Sequence, residues 1–101
     1  MDVTLQYFDG CPNWQAARDL VRQALRDVGS ASEVTLQAVP TSEEAEAVGF
    51  RGSPTVLVDG VDPFADPAAP VGLSCRVFRT PAGLAGAPTL GQLVAALGGR
   101  P

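Results

Sequence analysis

The 101-residue chain contains no lysine and no histidine. Without histidine there is no Cys–His or Ser–His nucleophile, no imidazole metal ligand and no imidazole acid–base group. Without lysine, the seven basic residues are all arginines, and they stand singly along the chain. With a net charge of −4 this leaves no basic face to follow a phosphate backbone, so nucleic acid is not an expected partner. Long hydrophobic runs are missing too. No stretch approaches the ~20 apolar residues that span a bilayer, so a membrane is not an expected partner. The opening MDVTLQYF lacks the basic, apolar and small-residue regions of a secretory signal, and the expected location is the cytoplasm. Two cysteines, Cys11 and Cys75, are too few for a disulfide framework. In a reducing compartment both are expected as free thiols. Two distant cysteines without histidine do not make a structural zinc site, and no metal or other cofactor is expected.

What is present fits one compact domain over residues 1–101. Hydrophobic residues make up 46% of the chain and charged residues 18%. Residues 3–8, VTLQYF, alternate β-forming side chains and predict a first strand. Residues 12–28 predict a helix. Pro12 suits a first helical position, Trp14, Ala17, Val21, Ala24, Leu25 and Val28 recur at three- and four-residue steps, and Gly29 is a natural stop. EVTLQAV, 33–39, predicts a second strand. Thr41 with Glu44 gives a capping-box pattern for a short helix over 42–48, which Gly49 ends. PTVLVDG, 54–60, predicts a buried third strand. Residues 60–72 hold three prolines and predict a loop, and LSCRVFR, 73–79, predicts a fourth strand. Thr89 with Gln92 repeats the capping-box pattern before a last helix carrying Leu90, Leu93, Val94 and Leu97.

That order predicts an α/β fold with a four-stranded mixed sheet: two parallel strands from the first βαβ unit plus an antiparallel hairpin, with helices on both faces. In that hairpin Cys75 pairs near Leu57, which lies about 10 Å past Pro54 along the strand. Cysteines whose Cα atoms are more than ~7 Å apart do not bridge without movement, so Cys75 reads as a packing residue and not a resolving thiol.

The order of elements resembles the thioredoxin family, and three segments carry the resemblance. Cys11, in FDGCPNW, stands at a strand-to-helix junction, where the family keeps its nucleophile. GFRGSPTVLVDG, 49–60, is similar to the family's segment with a cis-proline before the third strand. GAPTLGQLVAAL, 86–97, is similar to its closing turn and final helix. The resemblance implies a thioredoxin-like fold, a catalytic Cys11, a cis Ser53–Pro54 bond, and a substrate site formed by Ser53, Pro54, Trp14 and Asn13. Asp9, Arg51 and Arg79 are candidate modulators of the thiol. The departure is at position 14. The family's Cys-X-X-Cys is here Cys11-Pro12-Asn13-Trp14, so the local resolving thiol is replaced by Trp14. Small bacterial thioredoxin-family proteins with this Cys-Pro-X-Trp pattern are sometimes labelled alkylmercury lyase.

Three functions follow as expectations. One is thiol–disulfide exchange at a lone Cys11, resolved by an external thiol, with a small thiol or a protein disulfide as partner. The second is carbon–mercury cleavage using Cys11 with Asp9 as proton donor. The third is a non-catalytic module holding a peptide beside the proline. A helix N-terminus favours a thiolate at Cys11 through its dipole and unpaired N–H groups, whereas a small buried cysteine can also serve packing alone.

Overall fold

A computed structural model describes residues 1–98. The chain runs through β1 (Val3–Tyr7), α1 (Trp14–Asp27), β2 (Val34–Ala38), α2 (Ser42–Val48), β3 (Thr55–Val58), β4 (Phe78–Thr80), β5 (Gly83–Ala85) and α3 (Leu90–Ala96). β1 is the centre of a three-stranded sheet. β2 pairs with it in parallel, Val3 opposite Val34, and β3 pairs antiparallel, Val3 opposite Val58 and Leu5 opposite Val56.

The expected four-stranded sheet does not form. The predicted strand over 73–79 shrinks to β4, which pairs with β5 as a separate two-stranded hairpin. The reason lies in which side of the segment turns inward. Arg76 and Phe78 are buried while Cys75 and Val77 are exposed. Strand periodicity is two, so choosing the opposite face reverses the role of every side chain. Cys75 is therefore not a packing residue.

One face of the sheet carries the main core. Val3, Leu5 and Val56 pack against Ala17, Val21, Ala24 and Leu25 of α1 and against Leu93 and Leu97 at the C-terminal helix. α1 starts two residues later than Pro12 predicts, with Asn13 at its N-cap and no side-chain capping bond. It ends at Gly29, φ +72°, where Gly29 N–H donates to the Arg26 carbonyl and Ser30 N–H to that of Leu25. At α2 the Thr41 hydroxyl accepts the Glu44 N–H, and at α3 both halves of the Thr89–Gln92 capping box form.

A second, smaller core joins Val39, Ala45 and Phe50, with Phe8 and Leu73 packed against it. It ties α2 to the segment after β1 and the segment before Cys75. Among the described residues no helix is long and apolar enough to cross a membrane.

Phe50 is fully buried and is the largest side chain of this second core. Phe50→Ala is expected to lower stability by about 3–5 kcal/mol, read as a lower urea midpoint. Leu84→Ala, at a position 73% exposed, is expected to stay within about 0.5 kcal/mol of the parent.

Candidate functional site

Cys11 leaves β1 through a tight turn in which its N–H donates to the Phe8 carbonyl at 3.1 Å. The turn brings the side chain against the start of β3. The Cys11 S–H donates to the Ser53 carbonyl at 3.3 Å, and the cysteine is fully buried. The acceptor is a carbonyl, so this bond exists only while Cys11 keeps its proton. Ser53 is also fully buried, and its hydroxyl accepts the Phe8 N–H at 3.4 Å. The Ser53–Pro54 peptide bond is cis, and Pro54 is fully buried. Cys11, Ser53 and Pro54 are thus brought together at one end of β1 and β3.

The backbone of Ser53 is already engaged. Its N–H donates to the Ser74 carbonyl at 2.8 Å, and its carbonyl accepts the Arg76 N–H at 2.9 Å. These bonds make an isolated parallel bridge between Ser53 and Cys75. Gly52 permits the approach: its φ is +116°, and a Cβ there would stand 3.0 Å from Arg76 Cβ and 3.2 Å from the Ser74 carbonyl oxygen.

The bridge corrects the expected register of Cys75. It lies beside Ser53, not near Leu57. Paired residues in a parallel bridge carry their side chains on the same side, so Cys75 faces the way Ser53 faces, toward the Phe8–Cys11 turn. The Cys75 thiol is exposed and free. Its pKa is raised, first by its hydrogen bond to Cys11, then by desolvation, and then by the like charge Cys11 would carry. The structure therefore offers two neighbouring thiols, one buried and one open to solvent.

Arg76 holds the segment in place, and the sequence reading missed it. Its guanidinium pairs with Asp62 at 2.6 Å, donates to the Thr55 hydroxyl at 3.3 Å and to the Phe64 carbonyl, and lies 4.6 Å from the Phe78 ring centre. Asp62 and Phe64 belong to the proline-rich loop, so one buried cation joins that loop, β3 and β4. The only sequence signal for it was an arginine inside an otherwise apolar run, which is too common to be specific.

The other predicted residues are placed differently. Trp14 opens α1 with its ring stacked on Tyr7, centroids 4.1 Å apart, and Arg18 5.4 Å from the ring. The Asn13 side chain lies against Gly86, where an added Cβ would collide with it. Arg51 donates to the carbonyls of Pro67 and Ala69, so its charge secures the 60–72 loop. With Phe64, Asp66, Ser74 and Cys75 it lines a cleft of about 240 Å³. Arg79 is exposed in β4, and its carbonyl accepts from the Gln92 amide at 2.8 Å. Asp9 is exposed in the turn before Cys11.

A raised thiol pKa means less thiolate at any given pH. Alkylation of Cys75 is therefore expected to be slow near neutrality and to reach half its maximal rate above the ordinary value of about 8.5. Cys11→Ala removes the leading cause and is expected to move that midpoint down. Rates of iodoacetamide labelling against pH, followed by peptide mass mapping, check both.

No protein-family model, curated protein or solved structure matches this chain.

Proposed function

We propose that this protein carries out thiol–disulfide exchange at Cys11. The observation that carries the reading is the 3.3 Å contact from the Cys11 sulfur to the Ser53 carbonyl. It fixes a thiol on a rigid backbone ledge between two strands, where an attacking or leaving sulfur is held in one place. The resemblance of residues 49–60 to the thioredoxin-family proline segment supports the same reading. So does the absence of histidine and lysine, because exchange between sulfurs needs neither.

The substrate we assign is a small disulfide. An extended protein substrate would pair with the Ser53 backbone, and Ser74 and Arg76 already occupy that edge. The same occupation argues against a non-catalytic peptide-binding module. A reducing compartment such as the cytoplasm fits the activity, since abundant small thiols there can return the site to its reduced form.

Organomercurial cleavage stays as a second reading because of one observation, the Cys75 thiol next to Cys11, which gives two soft sulfur donors. It also needs a proton donor at the carbon, and Asp9 is exposed in the turn.

The test is reduction of a small disulfide by added monothiol, with wild type and Cys11→Ser compared. Loss of roughly tenfold or more of the catalysed rate in Cys11→Ser is expected. A Cys11→Ser rate equal to wild type would overturn the reading. Release of hydrocarbon from an alkylmercury compound by wild type, without disulfide turnover, would favour the second one.

A further inference from the structure

We infer that Cys75 is the second thiol of this site, and that Cys11 and Cys75 close into an internal disulfide as a small disulfide is reduced. The inference rests on the exchange reading above and supplies what it leaves open, the second thiol: Cys75 takes the substrate first and Cys11 resolves it.

Three observations carry it. The Cys11 sulfur is bonded to the Ser53 carbonyl, and Cys75 is the bridge partner of Ser53, so both cysteines are referred to one residue. Cys75 is exposed while Cys11 is fully buried, so an incoming disulfide meets Cys75 first. The segment holding Cys75 is fixed on both sides of it, by the Ser74 and Arg76 backbone bonds to Ser53 and by the Arg76–Asp62 pair. The chain thus lays its own cysteine along the edge that a substrate strand would otherwise take.

The Cys75 thiolate attacks one sulfur of a disulfide RSSR. That S–S bond breaks, Cys75 holds a mixed disulfide with R, and the first RS⁻ leaves and takes up the proton Cys75 released. Cys11 then loses its proton and attacks the Cys75 sulfur. The second RS⁻ leaves and takes that proton. The two cysteines have together given up two electrons and two protons, and RSSR has become two RSH. Excess monothiol reverses the sequence and restores both cysteines.

The experiment treats the reduced full chain with 2-hydroxyethyl disulfide, quenches with acid, and records intact mass and a non-reduced peptide map. Wild type is expected to lose two hydrogens and to show one linked peptide pair joining Cys11 and Cys75. Cys75→Ala and Cys11→Ser are each expected to keep a mercaptoethanol adduct until monothiol is added. A wild type that keeps a stable adduct and forms no internal bond would overturn this inference, while exchange at Cys11 still stands if Cys11→Ser is inactive. A wild type that takes neither adduct nor internal bond overturns both. The wild-type mass decides the matter even if a variant folds poorly.

Discussion

The Ser53 carbonyl accepts two hydrogen bonds, and the site depends on both. The Arg76 N–H reaches it at 2.9 Å and the Cys11 S–H at 3.3 Å. A carbonyl has two lone pairs, so the two bonds do not compete. One bond brings in the segment after the proline-rich loop, and the other the turn after β1. The first, together with the Ser53 N–H bond to the Ser74 carbonyl, holds Cys75 beside the sheet. Without the second, the buried Cys11 S–H loses its carbonyl acceptor, and an unpaired buried donor is costly. Gly52 stands next to this junction and keeps the space open, because any side chain there would press on Arg76 and Ser74.

Placing the segment requires burying a guanidinium, which is favourable only if the charge is paired and its N–H groups are bonded. Arg76 meets that condition with Asp62, Thr55 and the Phe64 carbonyl, and Phe78 presents its ring to the cation. The loop over 60–72 supplies two of these partners, so it is part of the site's support and not a passive connection. Arg51 secures the same loop from the other side through the Pro67 and Ala69 carbonyls. Two arginines that look scattered along the chain therefore act on one element.

Trp14, which the sequence resemblance aligns with a second thiol, has its ring committed to Tyr7 and Arg18. In the proposed chemistry the second sulfur comes instead from across the Ser53 bridge. That arrangement differs from a dithiol within one helical turn. The two sulfurs belong to segments far apart in the chain, held together by long-range backbone bonds, so their reactivity is tied to the integrity of the fold.

The sequence by itself determined the elements whose signals are local. The spacing of Ala17, Val21, Ala24 and Leu25, the Thr89–Gln92 capping box and the Gly49 stop are written in neighbouring residues, and the helices stand where those signals put them. The first parallel pair was legible from the strand–helix–strand order, since such a unit closes in parallel, and Cys11 was singled out through the family resemblance. What happens after residue 72 was not. In LSCRVFR, Leu73, Cys75 and Val77 make one face of a strand and Arg76 and Phe78 the other, and propensity favours burying the first set. Only the tertiary structure offers Arg76 a carboxylate, a hydroxyl and a carbonyl at once, drawn from Asp62, Thr55 and Phe64. Those partners reverse the face, turn Cys75 outward beside Ser53, and replace the expected fourth strand by a single bridge. A charge is buried where its partners converge, and convergence is a property of the folded chain.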